Sequence, residues 1–346
     1  MTFSPLRLLA VVVFSLLLAL PSLAFSWKQV KHQGVNYVPL SQVKSFYEFG
    51  TYKQSGRKLI LSNQKRGGVR MELSPGGQKV LMNGVKFIFS HKIALINGQY
   101  HVSITDLLKL IHPVMRPDEI KNARRFDTVV IDAGHGGKDA GAVNRLGTEA
   151  GYNLIVAKLL QKRLLKMGFK VVMTRTDNRF LSLKERVNIA NRYNNAIFLS
   201  IHFNAVSKGA SQARGIETFT LSPIGVAHYG RGLKSSDFDA RRGNYQDGAN
   251  IALATTIHWG TIQKLKKRGM RVPDRGIRRA RYTVLTGLKH PGILFEGGFL
   301  SHPTERRLIH SKAYQTTLAD AMASAIKIYH KATGATKSGR TARRTP

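Results

Sequence analysis

Hydrophobic and polar residues follow two different rhythms along the chain, and the change falls near residue 120. From residue 26 to about 115 the apolar stretches are short and separated by turn residues. Val80-Leu81-Met82 and Val85 to Phe89 flank Asn83-Gly84; Ile93 to Ile96 and Gln99 to Ser103 flank Asn97-Gly98. Asn-Gly tolerates the positive φ angles of a two-residue turn, so each set predicts a β-hairpin. Leu107, Leu108 and Ile111 predict a short helix. Together these features predict a small strand-rich α+β accessory domain over residues 26–115. Pro113 and Pro117 then interrupt regular structure, and the solvated charges Lys121, Arg124 and Arg125 mark residues 116–126 as a linker.

From Asp127 strands and helices alternate. Thr128 to Ile131 is an apolar strand ending at Asp132. Leu154, Ala157, Leu160, Leu164 and Leu165 recur at helical spacing, and Gly168 is placed to end that helix. Phe169 to Met173, Ala196 to Ile201, Gly215 to Leu221 and Gly292 to Phe295 are further strands. Ser182 and Glu185 are spaced as a capping box. Ile251 to Leu265 and Ala313 to Tyr329 are helical, and residues 223–248 read as a long loop. Such alternation predicts an α/β domain over residues 127–330, a mixed or parallel sheet flanked by helices on both faces. In such folds the site lies at the carboxyl ends of the strands.

That rule selects particular residues. His135 follows the first strand in a glycine-rich loop, His202 ends the third, and Glu296 ends a buried strand. Glu149 opens the long helix, where the dipole favours a carboxylate. Two imidazoles and a carboxylate are a frequent catalytic zinc set with one position open for water, and a further carboxylate then serves as general base. The spacing leaves open which carboxylate has which role.

Composition narrows the chemistry. The chain of 346 residues has no cysteine, which excludes thiol catalysis, Cys-ligated zinc and disulfides. Lys and Arg number 55 against 19 Asp and Glu, a net charge of +36 that favours anionic surroundings. The N-terminus indicates which surroundings. Arg7, the apolar run Leu8 to Leu20 and Ser22-Leu23-Ala24 form a signal-peptide pattern over residues 1–24, and the run is short for a membrane span. Export to the periplasm, cell wall or medium follows, with no transmembrane segment after cleavage. Nucleic acid is thereby disfavoured as a partner, and anionic envelope polymers are favoured. The tail, residues 331–346, is basic and reads as disordered.

The segment Val130-Ile131-Asp132-Ala133-Gly134-His135-Gly136-Gly137-Lys138-Asp139-Ala140-Gly141-Ala142 resembles the opening signature of the zinc-dependent N-acetylmuramoyl-L-alanine amidases. Four further blocks match in order: Glu149 with Asn153-Leu154; Thr174-Arg175-Thr176-Asp177 with Leu183, Arg186 and Ala190-Asn191; Ser200 to Ala205; and Asp274 to Ile277 followed by Pro291 to Glu305. The resemblance covers roughly residues 127–330. It implies hydrolysis of the bond between the lactyl group of N-acetylmuramic acid and L-alanine in peptidoglycan. It also implies one Zn2+ ion held by His135, Glu149 and His202, and Glu296 as the catalytic base. Arg175, Asp177, Arg186 and Asn204 match recurring positions and are read as fold or supporting residues, with His302 a further supporting candidate; a simple surface pair of Arg186 with Asp177 is the alternative. His302 stands where the family usually has Asn. The 223–248 stretch falls where some relatives carry a segment that covers the zinc; here it lacks an amphipathic stripe, so a substrate-contacting loop is the competing expectation. Residues 26–115 weakly resemble the repeat domains related to the copper amine oxidase N-terminal domain, with nothing implying copper. Two alternatives stay open: another zinc-dependent wall hydrolase, either a peptidase or a deacetylase, and a non-catalytic wall-binding protein. No residue pattern names an activating protein.

Overall fold

In the computed structural model, residues 25–63, 68–207, 209 and 212–338 are described. The expected signal segment, residues 1–24, lies outside them, as do residues 339–346 of the tail. No helix among the described residues is long and apolar enough to cross a membrane.

The amino-terminal part is strand-rich, as the hairpin signals require. It comprises β1 (Val30–His32), β2 (Val35–Pro39), α1 (Leu40–Phe46), β3 (Thr51–Ser55), β4 (Lys58–Asn63), β5 (Val69–Leu73), β6 (Lys79–Met82), β7 (Val85–Ile88), β8 (Ala94–Ile96), β9 (Gln99–Ser103), α2 (Ile104–Asp106) and α3 (His112–Met115). Asn83 and Gly84 turn β6 into β7 with φ of 51° and 78°, and Asn97 and Gly98 repeat the device between β8 and β9 at 48° and 75°. Gln33-Gly34 makes the same turn between β1 and β2 without the Asn-Gly signature.

The rest alternates: β10 (Thr128–Ala133), β11 (Val143–Asn144), β12 (Gly147–Thr148), α4 (Glu149–Lys166), β13 (Lys170–Met173), α5 (Leu183–Asn191), β14 (Ala196–Asn204), β15 (Ile216–Leu221), α6 (Asp247–Lys267), β16 (Asp274–Ala280), α7 (Thr283–Thr286), β17 (Gly292–Phe299), α8 (Pro303–His310) and α9 (Lys312–Ser338). Strands β13, β10, β14 and β17 run parallel, and β15 is antiparallel to β17. Every residue of β10 and β17 is buried, the pattern of strands covered on both faces. Helices α4, α6 and α9 cover one face, where Leu160, Ile257 and Met322 join the main core. Helices α5 and α7 cover the other, with Val130, Phe198 and Leu285 in a second cluster.

The two parts share one sheet of eleven strands, ordered β13-β10-β14-β17-β15-β16-β7-β6-β5-β4-β3. The junction is the parallel pair β16–β7, with Ile277 opposite Phe87 and both side chains buried. At Gly276, φ is 89° and a Cβ would stand 3.0 Å from the Lys86 carbonyl oxygen, so the bare backbone permits the approach.

One element was unforeseen and one expectation needs correction. Strand β16 was not legible as a strand, because Arg275, Arg278 and Arg279 break the apolar pattern. Residues 331–338, assigned to a disordered tail, are the end of α9; good helix formers such as Lys331, Ala332 and Ala335 extend it past Tyr329.

Candidate active site

Three neighbouring strands and one helix end deliver the site. Past β10 the chain turns through Gly134-His135-Gly136-Gly137, and His135 itself has φ 60° in the left-handed region. A Cβ on Gly134 would stand 2.2 Å from the His202 ring, and one on Gly141 2.6 Å from Glu149 Oε2. Both positions must stay bare for the three polar side chains to meet. Thr148 caps α4 by accepting from the Gly151 amide, which fixes Glu149 in the first turn. His202 on β14 has Glu296 on β17 as its cross-strand neighbour.

The geometry is tight. Glu149 Oε1 lies 3.1 Å from His135 Nε2 and 2.9 Å from His202 Nδ1. Backbone amides hold the same carboxylate in place: Ala142 donates to Oε2 at 3.0 Å and Phe203 to Oε1 at 3.3 Å. Asp139 Oδ2 lies 2.8 Å from His135 Nδ1, which leaves Nε2 facing the site. Burial would raise the Glu149 carboxyl, but hydrogen bonds and charge from His135 and His202 outweigh it and hold the group well below the usual carboxylate range. One ligand atom from each of the three residues lies within 4.8 Å of the others, a set able to hold a metal ion. The two distances from Glu149 approach the ~3.4 Å edge of a tetrahedron with zinc bonds of ~2.1 Å.

A cavity of about 690 Å³ opens over this cluster, walled by Phe180, Leu183, Tyr282 and Val284. Glu296 faces it. Its side chain is buried, and Oε2 has no hydrogen-bond partner among the described residues. Burial pushes this carboxyl well above its usual range, and the charges of Glu149 and Glu217 push it further. A buried acid left unpaired is costly, so the position points to chemistry rather than to packing.

Glu217 was not singled out in the sequence. It sits in the buried strand β15 directly opposite Glu296. Arg275 Nε pairs with its Oε1, Arg278 Nε lies 3.3 Å from the same atom, and Asn204 Nδ2 donates to Oε2 at 3.0 Å. An acid within an apolar run, the signal that marked Glu296, was also present in Ile216-Glu217-Thr218-Phe219.

The other expected residues separate by role. Arg175 is buried and donates to the carbonyls of Ala133, Gly134 and Ala150, each at 2.8 Å. It thus clamps the His135 loop to the start of α4. Arg186 does not pair with Asp177 on the surface. It is buried, bonds Asp132 Oδ1 and the Ala133 and His135 carbonyls at 2.8 Å, and leaves Asp177 to Arg179. The apolar surroundings of Asp132 demand a paired cation, which explains the difference. Asn204 lines the cavity. His302 does not: its Nδ1 accepts from the Thr304 and Glu305 amides and caps α8, a task Asn also performs. No residue of the 223–248 loop lines the cavity. Buried Asp237 pins that loop to Arg231 and Arg281, and His228 packs edge-on against Tyr282 at 5.1 Å.

The sequence profile of the N-acetylmuramoyl-L-alanine amidases matches residues 129–328. The chain belongs to this family. His135, Glu149, His202 and Glu296 all lie within the matched region of the amidase, while β1–β9 precede it. YqiI of Bacillus subtilis (strain 168) is 32% identical over 203 residues, 59% of this chain and 84% of YqiI. LytH of Staphylococcus aureus, a probable cell wall amidase, is 34% identical over 215 residues, and the aligned region covers 61% of each chain, less than two thirds of LytH. Among solved structures, the N-acetylmuramoyl-L-alanine amidase AmiC2 of Nostoc punctiforme superposes with a TM-score of 0.48 at 30% identity, covering 59% of this amidase and 97% of that chain.

Proposed function

We propose that the amidase is an exported, single-zinc enzyme of the periplasm or cell wall that cleaves the bond between the N-acetylmuramic acid lactyl group and L-alanine in peptidoglycan. The observation that carries this reading is the meeting of His135, Glu149 and His202 beneath a cavity that Glu296 also faces, with one carboxyl oxygen unpaired. Two imidazoles and one carboxylate suit zinc and leave room for a fourth position. Zinc held there supplies Lewis-acid polarisation of the scissile carbonyl and acidity of the attacking water.

The protein's own groups supply the rest. Asp139 holds His135 with Nε2 facing the site, as second carboxylates commonly do for metal-ligating histidines. Arg175 and Arg186 fix the backbone that carries His135. Glu296 takes a proton from water and returns it to the departing L-alanine amine; its raised pKa suits an acid that must release as well as accept. Glu217, restrained by Arg275, Arg278 and Asn204, stands directly across the sheet from that base. Phe180, Leu183 and Val284 offer apolar walls against which the substrate can pack.

Metal content and activity test this together. Purified protein is expected to carry one zinc per chain, to lose hydrolysis of a muramoyl-peptide on chelation, and to regain it with added zinc. Full activity in a metal-free sample contradicts the reading.

A further inference from the structure

The amino ends of β10, β13, β14 and β17 meet at the sheet edge opposite the catalytic cavity. From Ala196 to His202 strand β14 covers about 20 Å at 3.3 Å per residue, which sets the separation of the two edges. Two adjoining cavities of about 710 and 370 Å³ open at this second edge, and both are bordered by Arg124, Arg125, Phe126 and Asn195.

The floor is rigid. Phe126 is buried and stacks on Phe169 at 5.9 Å and on Tyr329 at 5.7 Å, and His330 meets it edge-on at 5.1 Å. This stack fixes the segment that presents Arg124 and Arg125. Both arginines and Lys327 are exposed and have no hydrogen bond or ion pair among the described residues. The lone acid of the lining, Asp127, is already held by Lys170 at 3.3 Å and by the Thr128 hydroxyl at 2.8 Å. The smaller cavity adds the carboxamides of Asn122, Asn194 and Gln246, and the buried Oε1 of Gln246 has no partner. Helix dipoles do not account for these cations: Arg124 and Arg125 lie outside any helix, and Lys327 is well inside α9.

We propose that this cleft binds a phosphodiester-linked polyol or sugar chain of the cell envelope. Guanidinium forks match phosphate oxygens in pairs, and the carboxamides match hydroxyl groups between them. A bilayer is the poorer fit, since the apolar floor is recessed and capped by His330 instead of protruding. Occupied this way, the cleft tethers the molecule to the wall through one edge while the opposite edge faces the substrate. The inference rests on the proposed export of the protein and not on hydrolysis.

The test is binding of the full chain to purified poly(glycerol phosphate), to neutral dextran, and to phosphatidylglycerol–phosphatidylcholine vesicles, at physiological ionic strength where screening acts within about 8 Å. Three chains are compared: wild type, Arg124→Ser/Arg125→Ser, and Lys53→Ser/Arg57→Ser, which removes the same charge from the exposed β3–β4 hairpin. The cleft variant is expected to bind poly(glycerol phosphate) at least about tenfold more weakly at an unchanged melting temperature, since charge-assisted hydrogen bonds are lost. The hairpin variant stays within about twofold of wild type, and dextran binds none of them. Lys327→Ser is expected to weaken binding in the same direction, independently of how the arginine variant folds. Equal losses in the cleft and hairpin variants, or a cleft effect on vesicles alone, overturn the proposal.

Discussion

Glu217 and Glu296 are directly opposed on the antiparallel strands β15 and β17, so two acids share one buried face of the sheet. Like charges placed this way oppose each other. The pair persists because the two differ in company: Glu217 is held by Arg275, Arg278 and Asn204, whereas Glu296 Oε2 has no partner. The first is tied up in ion pairs and a hydrogen bond, and the second faces the cavity with an oxygen free among the described residues.

Replacing Glu217 has a defined sign for its neighbour. Without its charge, the ionised form of Glu296 costs less, so its pKa falls. Glu217→Gln is expected to move the acid limb of the kcat/KM pH profile to lower pH, with Arg275 and Arg278 left to pull in the same direction. An unmoved or raised limb contradicts the coupling.

Glu296→Gln separates catalysis from stability. Loss of general base catalysis is expected to lower kcat by about 10²–10⁴-fold. Thermal unfolding is expected at the same or a higher temperature, because a buried acid with an unpaired oxygen has been made neutral. A clear drop in melting temperature assigns Glu296 a structural role instead.

Arg186 and Asp132 form the buried pair beneath the His135 loop. Arg186→Met leaves Asp132 uncompensated and is expected to cost about 3–5 kcal/mol in denaturant unfolding. Burial alone would raise Asp132, but Arg186, Thr174 and Ser200 together hold it below its usual value. Its contribution to stability is therefore complete above the unfolded pKa of about 3.9 and is lost as pH falls through the folded value. The variant is expected to lack this acid-side loss.

His302→Asn and His302→Ala distinguish a helix cap from a catalytic group. Asn preserves the acceptor and is expected to leave stability and kcat close to wild type. Ala is expected to cost about 1 kcal/mol with kcat unchanged. A fall in kcat for Asn places His302 in the chemistry.

The residues that meet beneath the cavity were readable from sequence because each stands out from its own neighbourhood. His135 lies among glycines, and His202 and Glu296 interrupt apolar strands. Among the supporting residues, Arg175 and Asn204 were marked as candidates but their partners were hidden, since those partners are distant in sequence. Arg186 could be marked as a fold or supporting residue, but nothing near it in sequence pointed to Asp132, 54 positions away, as its partner. Arg275, Arg278 and Arg279 hid β16, because the charges that break its apolar pattern are met elsewhere: Glu217 takes the first two, and the Lys109 carbonyl accepts from Arg279. The joining of β7 to β16 was equally hidden. A parallel edge pairing leaves no turn signal, and Lys86 reaches the Asp274 carbonyl across 188 positions.

Mass analysis of fragments released from purified peptidoglycan bears most directly on the central claim. Mature wild-type protein is expected to release intact stem peptides with a free L-alanine amine, and Glu296→Gln and a chelated sample are expected to release none. Fragments cut within the stem, or the same release from all three samples, would contradict it.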